Sequence, residues 1–205
     1  MLRFFDFLFP PRQDEITLRA VSDDGFLART NPQLVPHTEP ATIALFSFSD
    51  DVVRAAIHEA KYHGSSRAFR LLALALSEYL RDADDLGRGT LYIVPIPLGE
   101  KRKKERGLNQ IEEVVRRSLS GGSSTFSLET DLLRRTRETA SQVTLPRTER
   151  EENMRGAFSA IFPANPAHTY IVIDDVITTG ATLQAAIDAL RDAGAHHIVP
   201  LALAH

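Results

Sequence analysis

The apolar run YIVI at 170–173 stops on two adjacent aspartates, Asp174 and Asp175, and Thr178, Thr179, Gly180, Ala181 and Thr182 follow within a few residues. Carboxylates accept hydrogen bonds or hold a hard cation, whereas hydroxyls, a glycine turn and the N–H groups that open a helix converge on an anion. The two halves therefore suit different parts of one ligand. A phosphate facing the acids would be repelled, so the acids suit vicinal hydroxyls or a metal ion while the threonine-glycine turn suits a phosphate monoester. Residue types in this order describe a ribose 5-phosphate cradle, with the acids on the 2- and 3-hydroxyls and residues 178–182 on the 5-phosphate.

Two other readings compete. An acidic strand end also occurs in nucleotide triphosphatases, but their phosphate-gripping G-x-x-x-x-G-K-[ST] appears nowhere in the chain. An aspartate that starts a turn and threonines that cap a helix explain any one of these residues. They explain the whole set less well.

A cradle of this kind needs a strand before it and a helix after it. LQAAIDALRDAG at 183–194 has helical spacing and ends on a glycine, and HIVPLALA at 197–204 reads as the next strand. Earlier, TLYIVPIPL at 90–98 is a β-prone run cut by Pro95 and Pro97, and it leads into the basic loop EKRKKERG. Helices are expected from an N-cap at Ser49 to Gly64, from about Arg67 to Arg81, and from Leu108 to Leu119. GAFSAIF at 156–162 is a further strand candidate.

Continuous apolar strands alternating with helices argue for an α/β fold whose mostly parallel, twisted sheet is flanked by helices. In such a sheet ligands collect beyond the carboxyl ends of the strands, where residues 174–182 fall. Residues 12–48, with Pro32, Pro36 and Pro40 in polar sequence, read as irregular with one or two short strands. The expected division is a small hood-like region at 1–48 and the main domain at 49–205. Residues 132–156 are charged and lack an apolar period, which predicts a mobile excursion with a helical turn near 147–154.

The chain has 205 residues, 43% of them hydrophobic, enough for one domain with a sizeable core. Its net charge of −3 excludes a globally basic binder, so any basic surface is local, as at KRKKER, 101–106. Cysteine is absent, which excludes disulfides and thiolate metal sites and leaves histidine and carboxylates as the available metal ligands. MLRFFDFLFPP is too short for a membrane span and lacks a small-residue cleavage site. It reads as an amphipathic segment docking on the body, and the expected location is the cytoplasm.

YIVIDDVITTGAT resembles the 13-residue signature of type I phosphoribosyltransferases. AKYHG at 60–64, VPIPLGEKRKKERGLNQ at 94–110 and LLRRTRETASQVTLPRTEREENMRGAF at 132–158 resemble blocks of one branch, the competence-associated ComF family. The likeness covers roughly residues 50–205. Members of that family usually open with a cysteine-rich zinc module after an LFPP-like start; here FLFPP stands without cysteines, and no zinc is expected.

The resemblance implies a type I phosphoribosyltransferase-like fold that binds 5-phosphoribosyl 1-diphosphate (PRPP) with Mg²⁺. It implies displacement of diphosphate at the anomeric carbon, with Asp174 and Asp175 orienting the ribose and touching Mg²⁺ either directly or through the substrate. Pro97, Leu98, Lys101 and Arg102 match the diphosphate loop, and Arg135, Arg137, Gln142 and Arg155 match a closing loop; Lys61 and Asn109 are further candidates. The implied activity is glycosyl (phosphoribosyl) transfer to an unread acceptor, linked to DNA uptake. The alternative is a non-catalytic PRPP-binding module with a helicase or another competence protein as partner. Weak single-stranded DNA contact through 101–106 belongs to that alternative, although the run lacks the interleaved aromatics that favour stacking.

Overall fold

A computed structural model describes residues 11–82, 90–121, 125–137 and 154–205. Six strands form one sheet in the order β1-β2-β8-β7-β3-β4, and β5 and β6 form a separate two-stranded ribbon. The strands are β1 (Gln33–Val35), β2 (Thr42–Phe46), β3 (Leu91–Pro95), β4 (Phe126–Leu128), β5 (Leu133–Arg135), β6 (Phe158–Ala160), β7 (Thr169–Val176) and β8 (His197–Ala204). Every neighbouring pair from β2 to β4 is parallel; β1 is antiparallel to β2 at one edge. The expected mostly parallel α/β sheet is the observed one.

Seven described helices complete the fold: α1 (Gln13–Ala20), α2 (Asp23–Leu27), α3 (Asp51–His63), α4 (Ser66–Asp82), α5 (Glu100–Arg106), α6 (Gln110–Ser118) and α7 (Ala181–Asp192). Alternation along β7 divides the core. Ile171 and Ile173 face one side with Leu72 and Leu76 of α4 and Val114 of α6, and Tyr170 and Val172 face the other with Ala186 and Leu190 of α7. The sheet thus lies between α3, α4 and α6 on one face and α7 with the β5–β6 ribbon on the other.

Residues 12–48 are more regular than the proline spacing predicts. Arg12 donates from Nε and Nη2 to Glu59 Oε1 and Oε2, each at 2.8 Å, which ties the start of α1 to α3. β2 pairs with β8, so residues 42–46 belong to the main sheet and the sheet crosses the expected boundary at 48/49. Three-residue strands and eight-residue helices carry too little periodic pattern to be seen without their packing partners.

Helix ends follow local chemistry. Asp50, rather than Ser49, caps α3, accepting from Val52 N at 2.8 Å and Val53 N at 3.1 Å, and Gly64 ends it at φ 59°. The basic loop EKRKKERG is instead the helix α5. Glu100 lies in its first turn, Lys103, Lys104 and Arg106 in its last, and Gly107 closes it at φ 75°. Long straight side chains favour a helix and that charge order suits its dipole. The residues expected to dock the N-terminus, 1–10, and most of the expected excursion, including Gln142, lie outside the described residues.

Candidate functional site

β7 runs two residues beyond the expected strand end, with Asp174 opposite Ala202 and Val176 opposite Ala204 of β8. The aspartates are therefore in the last turns of the pleat, held rigidly. Each uses one oxygen on the next backbone N–H: Asp174 Oδ1 accepts from Asp175 N and Asp175 Oδ1 from Val176 N, both at 2.8 Å. Lys61, in the last turn of α3, brings Nζ to 2.7 Å from Asp175 Oδ2.

The two acids are electrostatically unlike. Burial, reinforced by the neighbouring Asp175 charge, pushes the Asp174 carboxyl up to about 7, against the opposing pull of the Asp175 N–H, Lys61 and Arg135. Asp175 has its own ammonium partner.

The turn after β7 leads into α7 through Gly180, whose φ is 80°. A Cβ on Gly180 would stand 2.4 Å from the backbone oxygen of His37, so glycine is demanded both by the turn and by the close passage of the β1–β2 connection. Thr178, Thr179, Gly180, Ala181 and Thr182 enclose a small hollow of about 30 Å³ together with Asp174. The N–H groups that open α7 point from this end of the helix, the arrangement that favours an anion.

Across from the turn, the β3–α5 connection is pinned from two sides. Ile96 N donates to Ile173 O at 2.9 Å, and Asn109 Nδ2 donates to Ile96 O at 2.9 Å. Asn109 Oδ1 meanwhile caps α6, accepting from Ile111 N at 3.1 Å. Asn109 thus holds the connection that carries Pro97 and Leu98 while sitting on the cavity wall.

These parts meet in one cavity of about 220 Å³ at the carboxyl ends of β3 and β7. Asp174, Asp175, Thr178 and Thr182 form one wall; Pro97, Leu98, Arg102 and Asn109 form another, and Lys61 and Arg135 also reach it. Of the expected diphosphate-loop residues, Lys101 is not on this wall and its place is taken by Arg106. In a helix Arg102 and Arg106, four residues apart, share a face, and Lys101 does not. Arg106 Nη1 is steadied by Gln110 Oε1 at 3.0 Å, and its guanidinium lies 5.4 Å from the ring centre of Tyr62.

The expected closing-loop residues separate. Arg135 reaches the cavity with its guanidinium 5.4 Å from the Phe158 ring centre. Arg137 donates to Arg155 O at 2.7 Å, and Thr136 Oγ1 to Gly156 O at 2.8 Å, so these residues close the neck of the segment. Arg137 lines a neighbouring groove of about 730 Å³ that shares Pro97, Leu98, Asn109 and Arg135 with the cavity. Arg155 lines a hollow of about 510 Å³ beside Thr179 and His37. Arg106 and His37 are the site neighbours that sequence reasoning missed. Helical spacing within KRKKER would have found the first; nothing local marks the second.

No protein-family model matches the chain. It is 33% identical over 133 residues to competence protein F of Haemophilus influenzae, covering 63% of this chain and 57% of that protein. It is 34% identical over 91 residues to the DNA utilization protein YhgH of Escherichia coli, covering 44% of this chain and 39% of that one. The matches therefore span about half the length of these relatives or less. A hypoxanthine phosphoribosyltransferase structure from Staphylococcus aureus aligns with 65% of this chain and 61% of its own, at 14% identity and a TM-score of 0.39. The expected kinship with competence proteins is borne out by the sequence relatives.

Proposed function

We propose that this chain, a relative of competence protein F and of the DNA utilization protein YhgH, binds PRPP with Mg²⁺ and transfers its phosphoribosyl group to an acceptor in the handling of DNA taken into the cytoplasm. The observation that carries the reading is the 220 Å³ cavity, where two carboxylates and a hydroxyl-lined turn on one wall face Arg102, Arg106, Lys61 and Arg135. A ligand with hydroxyls at its centre and phosphates at both ends satisfies every group on those walls.

The turn at 178–182 takes the 5-phosphate, Asp174 and Asp175 take the ribose hydroxyls, and Arg102 and Arg106 take the diphosphate. Mg²⁺ is a hard cation that binds through one or two carboxylates plus substrate phosphates, and Asp174 Oδ2, with the further lone pairs of Asp175 beside Lys61, would hold it. When bound it neutralises charge building on the leaving diphosphate. In the transfer the anomeric C–O bond breaks with its electron pair leaving on diphosphate, and a lone pair of the acceptor forms the new bond. The ionised acids sit where positive charge develops on the sugar, and the two arginines where negative charge develops on the leaving group.

The second reading is a PRPP-binding module that does no transfer. It is favoured by α5, whose Lys104 is exposed on the side of the helix away from Arg102 and Arg106. That outer face suits an acidic patch of a helicase or other competence protein, or single-stranded DNA.

Calorimetric titration with PRPP and Mg²⁺ tests both readings, run on the wild type and on Asp174→Asn/Asp175→Asn. Saturable binding lost in the double variant supports the cradle, and a folded wild type that does not bind removes it. Diphosphate release across a panel of bases, amines and ammonia separates the transferase from the module.

A further inference from the structure

On the far side of Lys61, α3 carries a second cluster of chemistry-bearing side chains. His58, Glu59 and His63 place one donor atom each within 4.8 Å of one another. Glu59 and His63 are four residues apart and share a helix face, with His63 Nε2 4.0 Å from Glu59 Oε1. The His58 ring lies 5.7 Å from that of His63 at an angle of 73°. In a tetrahedral zinc-type site, with bonds of about 2.0–2.2 Å, donors stand roughly 3.3 Å apart. Metal uptake would draw the donors together by turning the exposed His63 ring and by a smaller shift of His58, which Asp14 holds.

The surroundings are those of a ligand set. His58 Nδ1 donates to Asp14 Oδ2 at 2.8 Å, leaving the lone pair on Nε2. A carboxylate on the outer nitrogen is the usual way a ligating histidine is oriented and made more basic. Glu59 is completely buried, and its hydrogen bonds from Arg12 hold its carboxyl below the ordinary carboxylate range, so it is ionised. Arg12 takes one lone pair from each Glu59 oxygen, and a carboxylate has about four. Around the cluster Asp14, Glu15 and Glu59 stand against Arg12 and Arg19, the latter paired with Glu15 at 2.7 Å, which leaves one acid in excess for a divalent cation to offset.

We propose that His58, Glu59 and His63 form a binding site for a divalent transition metal of the zinc type, with Asp14 and Arg12 as its outer supports. The donor set is nitrogen and oxygen, unlike the cysteine set whose absence removes the expectation of zinc at the N-terminus. All three donors lie on the last two turns of α3, which carry Lys61, and a metal there would reach α1 only through Asp14 and Arg12.

Cobalt(II) serves as the probe because a tetrahedral nitrogen and oxygen set gives it intense visible bands. The metal-free, folded full chain is titrated with Co²⁺ and then with Zn²⁺, followed by absorbance and by thermal unfolding. The expected result is uptake of one equivalent with tetrahedral bands, displacement by Zn²⁺ and a higher unfolding midpoint. His63→Ala and His58→Ala, both at exposed positions, should abolish the bands, and Asp14→Asn should weaken affinity about 10- to 100-fold while leaving binding saturable. Wild-type protein without saturable uptake overturns the proposal. So does uptake that persists unchanged in the His58→Ala/His63→Ala double variant, since the metal then sits on other histidines.

Discussion

Lys61 Nζ stands 2.7 Å from Asp175 Oδ2, so one carboxylate of the proposed cradle already has a cationic partner from another element. A ligand at that carboxylate must share it or displace the lysine. Lys61→Met leaves Asp175, only about one-fifth exposed, without its cation, and the pair is worth about 1–2 kcal/mol at this intermediate burial. Urea unfolding should show that loss, and the variant's PRPP affinity tells whether Lys61 competes with the ligand or greets it. Tighter binding means competition, and weaker binding means direct contact with phosphate.

Asp174 gives the fold a definite pH dependence. Its folded carboxyl titrates near 7, above an unfolded value of about 3.9, so the folded state holds the proton more tightly. That contribution is whole below about 4 and is lost as pH rises through about 7. Asp174→Asn, permanently neutral, should therefore gain stability over wild type at pH 8 and little at pH 4. Equal differences at both pH values would remove burial of Asp174 as the cause. Binding of Mg²⁺ and PRPP, which needs the ionised acid, should strengthen in the wild type across pH 6–8.

Gly180→Ala meets two obstacles at once, a left-handed φ of 80° and a contact of 2.4 Å with the oxygen of His37. The cost should be about 1–3 kcal/mol, and ligand affinity should fall with it because the turn can relieve the clash only by moving. Inorganic phosphate titration on the refolded variant, beside circular dichroism, separates the two effects.

Asn109 performs two jobs with two atoms, and two variants tell them apart. Asn109→Ala removes both the α6 cap and the bond to Ile96 O, at about 1–2 kcal/mol for the cap. Asn109→Ser keeps a capping oxygen and loses the donor to Ile96 without adding a charge to the cavity. If the pinned connection matters to the ligand, the serine variant should be nearly as stable as wild type in denaturant yet bind PRPP more weakly.

Arg106→Ala should lower PRPP affinity by more than Arg106's modest contact with Tyr62 would suggest, about 10-fold or more for a charge-assisted phosphate contact. Lys104→Ala, exposed on the outer side of α5, is the matched control and should leave affinity unchanged.

The strand, turn and helix around Asp174 and Gly180 were legible because each carries its own local signal: an apolar run, adjacent acids, then a glycine before helical spacing. α5 was misread as a loop for the opposite reason. Its seven residues contain no apolar position, so periodicity is silent and only propensity and charge order speak. β1 and β2 were legible as strands but not as part of the main sheet, because pairing of residue 44 with residue 202 is a tertiary fact. The approach of His37 to Gly180 is of the same kind. The glycine is visible in the sequence, and the backbone that requires it is more than a hundred residues away.

α5 is one short rigid rod with two audiences. Arg102 and Arg106 look into the cavity, while Lys104 stands exposed on the opposite side, and seven residues leave no hinge between them. A phosphate that draws the inner pair and an acidic body that draws Lys104 would therefore tug on the same object. By linkage any such influence is mutual: a companion on the outside would read whether the cavity is filled, and its departure would loosen what lies within.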